Sequence, residues 1–149
     1  MNRRAVLALP VLLALAACKP PNAAWNQKLT LVVETPAGEI TASSVSAMRV
    51  WIGPKILADT PNISFEFIGE ATFVEVAPGR YLFALISNGP GWASDTFARE
   101  TEERDFATRM RMIERQRGAP AKEIPRDAWP MLVTFDDVAD STTVRRVDP

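Results

Sequence analysis

Histidine is absent from this 149-residue sequence, and cysteine occurs once, as Cys18. Without histidine, neither a Ser-His-Asp triad nor a Cys-His pair can be assembled. The usual zinc sites built from histidine and cysteine are excluded for the same reason. A Ser-Lys pair at three-residue spacing is also missing, because the residues three positions before Lys28, Lys55 and Lys122 are Trp25, Ile52 and Ala119. The chemistry that remains is carboxylate chemistry or a carboxylate metal site.

The N-terminus carries a short apolar run. Arg3 and Arg4 precede about thirteen mainly apolar residues, 5–17, which end in small residues before Cys18. A membrane-spanning helix needs roughly 20 such residues, so this run is too short to be one. A buried core helix would not end in small residues followed by a cysteine, a lysine and two prolines. Positive charge, a short apolar centre and small residues before a cleavage site are typical of a secretory signal peptide.

The end of this run, Leu15-Ala16-Ala17-Cys18, resembles the lipobox of bacterial lipoproteins. The resemblance implies cleavage between Ala17 and Cys18, acylation of Cys18 with fatty acids such as palmitate, and membrane lipid as a partner. Two or more acyl chains anchor a protein stably, whereas one chain binds reversibly. Lys19 stands where an aspartate often signals retention in the inner membrane. The resemblance therefore implies a lipid-anchored envelope protein with its domain in the periplasm, at the outer rather than the inner membrane.

These signals divide the chain into a signal peptide (1–17), a lipidated cysteine with a proline-rich linker (18–24) and one domain (25–149). Cleavage removes Arg3 and Arg4 and leaves 15 basic against 18 acidic residues, a net charge near −3. A slightly acidic domain is poorly suited to nucleic acid, which rewards a concentrated basic surface. A domain of this length can form a core. With one cysteine it has no internal disulfide and relies on packing.

Period-two alternation predicts strands over the first half of the domain. Leu29, Leu31 and Val33 share one face of a first strand, and Met48, Val50 and Ile52 share one face of a second. A turn at 35–39, with proline and glycine, makes 29–52 a long hairpin. Further strands are predicted over 63–68, 71–76 and 81–86, the last nearly all apolar and therefore central. Later strands are predicted at 131–135 and 142–147.

A helix is predicted in the second half of the domain. The Asn-Gly-Pro-Gly-Trp segment 88–92 lacks the lysine and hydroxyl residue of a phosphate-binding loop, so a strand-to-helix turn is favoured over that function. Ser94 or Asp95 would cap a helix that ends near Arg117, with Gly118 as its stop. An apolar stripe formed by Phe106, Ala107, Met110 and Ile113 would pack it. The fold class expected is α+β: a mostly antiparallel β-meander, as a small sandwich or half-barrel, with one long amphipathic helix.

Two features are candidates for ligand binding. Asp136, Asp137 and Asp140 lie in one loop and have oxygen ligands of the kind that calcium prefers. The loop lacks the glycine and the distal glutamate of an EF-hand, which favours a turn in which these side chains bond nearby amides. The second feature is the pair of aromatic residues Trp92 and Trp129, although a tryptophan in the latter context is more often part of a core.

Two segments resemble uncharacterised proteobacterial exported proteins. One is 27–39, Gln-Lys-Leu-Thr-Leu-Val-Val-Glu-Thr-Pro-Ala-Gly-Glu, and the other is 130–149, which contains Leu-Val-Thr-Phe-Asp-Asp and ends Arg-Arg-Val-Asp-Pro. The resemblance implies no activity. Relatives of this type continue past the Val-Asp-Pro, so it implies a shortened member of a longer family, in which a missing last strand would leave a sheet edge unpaired.

These observations favour a non-enzymatic envelope lipoprotein, a binding or structural module that needs no cofactor and no metal and contacts an unknown envelope protein. A carboxylate enzyme acting on cell-wall glycan or polysaccharide is the first alternative. It requires two carboxyl groups facing one cleft about 5 to 10 Å apart. A binder of a small ligand or cation, using the aspartate loop or the tryptophans, is the second alternative.

Acylation of Cys18 is testable by intact mass. Protein extracted from membranes should begin at Cys18 and carry the added mass of its acyl chains, and Cys18→Ser should lose that addition. An unacylated chain that still begins at Met1 would contradict the lipobox interpretation.

Overall fold

The computed structural model describes residues 21–54 and 62–149. Its strands are β1 (Ala23–Thr35), β2 (Gly38–Ile52), β3 (Ile63–Ile68), β4 (Thr72–Ala77), β5 (Arg80–Ala84), β6 (Leu132–Phe135) and β7 (Val144–Val147). Its helices are α1 (Gly89–Phe97) and α2 (Phe106–Glu114), with 3-10 turns at Arg126–Ala128 and Ser141–Thr143. Neither α1 nor α2, the helices of the described ranges, has the length and apolar character needed to cross a membrane. The predictions for 1–20, including Ala17 and Cys18, lie outside the described residues.

The predicted hairpin is confirmed. β1 pairs antiparallel with β2 along its whole length, from Ala23 opposite Val50 to Thr35 opposite Gly38. The Thr35 hydroxyl donates to the Gly38 carbonyl at 2.7 Å, and Gly38 takes a φ of 119°, which favours glycine. β1 begins at Ala23, two residues before the predicted start of the domain.

All strand pairs in the described chain are antiparallel and follow chain order. One sheet has the order β1-β2-β3 and the other has the order β4-β5-β6-β7. β3 coincides with its predicted range, and β5 lies between β4 and β6, as expected of a central strand. The fold is therefore mostly antiparallel β with two helices, an α+β protein.

The prediction of one long helix is wrong, because two short helices take its place. α1 begins at Gly89 with Pro90 in its first turn, and it ends at Phe97. The segment 99–105 is almost entirely charged, so a helix continued through it would have no apolar stripe to pack. Asp105 instead caps α2, since its carboxylate accepts from the Thr108 amide at 2.8 Å. The predicted stripe is confirmed within α2, where Met110 and Ile113 are buried.

The core lies on one face of the hairpin, here called the inner face. Near the open end of the hairpin, this face packs against both helices, through Ala23, Trp25, Met48, Val50, Ala93, Ala98, Met110 and Ile113. Towards the turn, Leu29 packs with Ala84 of β5, Leu132 of β6 and Trp92 of α1. Phe67 of β3 contacts both clusters, and its ring meets Trp92 edge to face at 6.4 Å between centroids. The helices and the second sheet therefore pack against the same face of the hairpin.

Polar groups on the inner face are paired. Trp25 donates its indole N–H to the Gln27 side-chain oxygen at 3.1 Å, and the Gln27 amide nitrogen donates to the Gly89 carbonyl at 2.8 Å. The hydroxyls of Ser44 and Thr72 lie 2.5 Å apart and join β2 to β4. These bonds offset the cost of removing polar atoms from water.

At Ala24, the outer edge of β1 is bonded by side chains of the segment that ends α2. The Ala24 amide donates to the Glu114 carboxylate at 3.3 Å, and the Arg117 guanidinium donates to the Ala24 carbonyl at 2.6 Å. Glu114 and Arg117 also form an ion pair at 3.2 Å. Both main-chain groups that Ala24 turns away from the sheet are therefore satisfied.

Two glycines of α1 give a matched stability test. A Cβ on Gly89 would lie 2.4 Å from the Phe67 ring, whereas one on Gly91 would meet only the Asp95 carboxylate, at 3.2 Å. Because Phe67 is held between two clusters, Gly89→Ala should lower the free energy of unfolding by about 1–3 kcal/mol. Gly91→Ala should raise it by about 0.5–1 kcal/mol, through helix propensity. Urea unfolding measures both, and equal effects at the two positions would contradict this packing.

Candidate functional site

The outer side of the second sheet carries four aromatic rings, here called the aromatic face: Phe73, Tyr81, Phe83 and Phe135. Strand pairing explains the grouping, because Phe73 lies opposite Phe83 and Phe83 lies opposite Val133, two residues before Phe135. Side chains alternate along each strand, so the intervening residues Ala84 and Leu132 point towards the hairpin. The aromatic face thus points away from the core.

The rings of the aromatic face contact one another. Phe83 lies at the centre, 5.8 Å from Phe73, 6.4 Å from Tyr81 and 5.4 Å from Phe135 between centroids, and Phe73 lies 6.3 Å from Tyr81. These separations are typical of favourable aromatic pairs. Phe73 is nevertheless 57% exposed, and the other three rings are half-buried. The cluster is preorganised and still accessible.

A groove beside the aromatic face extends it towards β2. It encloses about 700 Å³ and is lined by 43–47 of β2, 68–73 of the β3–β4 connection and Asn26. Gly69 lies so close to β2 that a Cβ there would be 2.6 Å from the Ser46 Cβ. Val45 and Ile68 are exposed in the groove, and Phe73 belongs to both surfaces. Phe73 is therefore the residue at which the aromatic face and the groove meet.

A second cleft, of about 510 Å³, lies beside β6 and β7 and has two carboxylates in its lining, Asp127 and Asp148. Each carboxylate is paired with an arginine: Arg99 donates to Asp127, at 2.8 Å in one of its two bonds, and Arg146 donates to Asp148 at 3.0 Å. Arg126 lies over the Trp129 ring at 5.7 Å, and the Trp129 N–H donates to the Ile124 carbonyl at 2.7 Å. Both carboxylates of the cleft are therefore engaged by arginines, whereas the buried side-chain oxygen of Asn88, also in the lining, has no partner among the described residues.

The electrostatics at Asp127 do not suit a general acid. The hydrogen bond from Arg99, with its charge as a further contribution, holds the pKa of Asp127 below its ordinary value. A glycosidase needs one carboxyl group with a raised pKa to protonate its leaving group. The pKa of Asp127 is shifted in the opposite direction, so this carboxyl group is not suited to that role.

The aspartate loop forms the local turn that the sequence favoured. Asp137 accepts from the Ala139 amide at 2.9 Å, and Asp140 accepts from the amide and hydroxyl of Thr142 at 2.9 and 2.7 Å. These bonds lower the pKa of Asp140. Asp136 is paired with Arg145. Across 21–54 and 62–149, no three acidic, cysteine or histidine side chains are grouped to hold a metal ion.

The tryptophans named as ligand-binding aromatics have different positions. Trp92 is 5% exposed and belongs to the core, so its assignment to a binding surface is wrong. Trp129 is half-buried in the second cleft, beneath Arg126. Sequence reasoning identified the strands that carry the aromatic face but did not group its rings. The available signal was an aromatic residue at alternate positions, as in Tyr81 and Phe83.

Comparison with protein-family models, with curated proteins and with solved structures gave no match. The function of each surface therefore has to follow from its own residues. The carboxylates of the second cleft and of the aspartate loop are engaged by neighbouring groups, whereas the aromatic face and the groove present exposed apolar side chains.

The pairing of Arg99 with Asp127 predicts a pH effect. Because the folded pKa of Asp127 is lowered, the pair should stabilise the fold above the ordinary aspartate value of about 3.9 and lose this contribution as pH falls through the folded pKa. Arg99→Gln should return the Asp127 pKa towards that ordinary value in a carboxyl NMR titration. Asp105, whose pKa is lowered by Thr108, is the control and should not move. An unchanged Asp127 titration in the variant would contradict the assignment.

Proposed function

We propose that this chain is a non-enzymatic, lipid-anchored module of the cell envelope that binds a partner protein through its aromatic face. The observation that carries the proposal is the exposure of Phe73 at the margin of a packed aromatic cluster, where it joins a groove with further exposed apolar side chains. Soluble proteins rarely expose contiguous apolar regions of this kind unless another molecule covers them.

Physical properties of the aromatic face support a protein partner. Aromatic side chains are enriched in the cores of protein interfaces and contribute much of the binding energy there. The contacts around Phe83 restrict the rings before binding, so little further side-chain entropy is lost on association. Tyr81 adds a hydroxyl that can hydrogen-bond a partner at the margin of an apolar contact.

The anchor rests on the N-terminal sequence. The signal peptide and the lipobox resemblance support cleavage before Cys18, acylation there and a periplasmic domain tethered to the outer membrane. For the tethered domain we propose a small sandwich, supported by Leu29 of the hairpin packing with Ala84 and Leu132 of the second sheet. The aromatic face would then be the outer surface of the sandwich.

The alternatives have less support. The carboxylate enzyme would use the second cleft, where Asp127 and Asp148 are held by arginines. The cation binder would use the aspartate loop, where Asp137 and Asp140 accept from backbone amides. In both places the carboxylates already accept hydrogen bonds from neighbouring groups.

Site-specific photo-crosslinking in intact cells tests the proposal. A benzophenone amino acid at position 73 should form an adduct of one discrete mass with an envelope protein. The matched control is position 32, because Val32 is 58% exposed but lies on the outer face of β1, away from the aromatic face. Phe83→Asp should reduce the adduct formed from position 73, since it places a charge at the centre of the ring cluster. The same adducts at 73 and 32, or none at either position, would count against the aromatic face as the binding surface.

A further inference from the structure

β3 exposes apolar side chains at the edge of the first sheet. Ile63 and Phe65 lie on the inner face, opposite Ile52 and Val50. Val50 is 1% exposed, yet Phe65 beside it is 60% exposed. The apolar row of the inner face therefore continues to the edge of the sheet, where no described strand covers it.

The main chain of β3 is arranged to accept a further strand. The Gly53 amide donates to the Asn62 carbonyl at 2.6 Å. Gly53 and Asn62 are therefore a hydrogen-bonded pair at the end of the β2–β3 ladder. Bonded and non-bonded pairs alternate in an antiparallel ladder. Ile63, Phe65 and Phe67 therefore direct their N–H and C=O groups away from β2, towards the open side.

Other described edges have features that oppose strand addition. Ala24 of β1 is bonded by Glu114 and Arg117. β7 is four residues long with arginines at its centre, and β4 ends in an irregularity between Glu75 and Ala77 followed by a proline. β3 has no proline, and its one charged residue, Glu66, is neutralised by Arg49 at 2.6 Å. β3 therefore lacks the features by which proteins commonly block the addition of a strand at a sheet edge.

We propose that β3 pairs antiparallel with β3 of a second copy of this chain, about a two-fold axis through Phe65. The outward-directed set is symmetric about this residue. Phe65 would pair with its own copy, and Ile63 would pair with Phe67 of that copy, each pair exchanging main-chain hydrogen bonds. The two inner faces would join into one six-stranded sheet, β1-β2-β3 followed by its two-fold mate, and the Phe65 rings would cover each other.

Hydrogen-bond complementarity between the two copies favours this occupant and this register. On the opposite side of the strand, Ser64 would lie opposite Glu66 of the second copy. The serine hydroxyl can donate to that carboxylate, and the two-fold axis repeats the contact. A register centred on Glu66 would place two carboxylates opposite each other, which is destabilising. This dimer does not depend on the aromatic face, which lies on the other sheet.

Sedimentation equilibrium of the full chain, in detergent at large excess over protein, tests the dimer. The unchanged chain should have twice the monomer mass, and Phe65→Lys should have the monomer mass. Val32→Lys is the matched control, with a similarly exposed valine on the outer face of β1. It should remain dimeric. A monomer mass for the unchanged chain or for Val32→Lys, or a dimer mass for Phe65→Lys, would overturn the proposal.

Disulfide trapping tests the register, with every chain also carrying Cys18→Ser to remove the native thiol. A mixture of Ser64→Cys and Glu66→Cys chains should form a cross-linked pair under mild oxidation. Residues in such a non-bonded pair have Cα atoms about 4.5 Å apart, within the disulfide range of roughly 4.4–6.8 Å. Ser64→Cys alone should not cross-link, because its two copies would be diagonal neighbours about 7–8 Å apart. No cross-link in the mixture, or equal cross-linking by Ser64→Cys alone, would overturn the register.

Discussion

The inner face of the β1–β2 hairpin is the surface on which the described fold depends. Its open half packs against both helices, and the half nearer the turn packs against the second sheet. Phe67 contacts both parts of the core, and Trp92 of α1 lies edge to face against it. The hairpin is long enough for both layers only because β1 and β2 stay in register from Ala23 to Gly38. Without that register, helices and second sheet would have no common surface.

Elements defined by local pattern were predictable from the sequence. Alternation located the hairpin and β3, and proline with glycine in 35–39 marked the turn at Gly38, whose φ is 119°. The helix was the principal error. Helical composition continued through 99–105, but helices in proteins are held mainly by packing of an apolar stripe, and this segment has none. Asp105 was considered as part of the helix rather than as the residue that begins one, although aspartate is a favoured cap.

The surfaces could be predicted only in part. The aspartate loop is a local structure, so the choice between turn and cation site could be weighed from residue types and spacing. The aromatic face is not local, because Phe73, Tyr81 and Phe135 meet only through the pairing of three strands, one of them some fifty positions further along the chain. The burial of Trp92 could not be predicted for the same reason, because the geometry between strand and helix decides whether such a ring points inwards.

The bonds at Ala24 have a mechanical consequence under the proposed anchor at Cys18. A pull on the chain before Ala23 acts along the axis of β1, so the ladder with β2 is loaded in shear and its hydrogen bonds resist together rather than opening one at a time. One residue into the strand, Glu114 and Arg117 bond the amide and the carbonyl of Ala24 from the side. Through these bonds the force would pass to the end of α2 and then, through Met110 and Ile113, to the core. With the proposed anchor and partner, the domain would thus be reinforced at the point where the chain enters it.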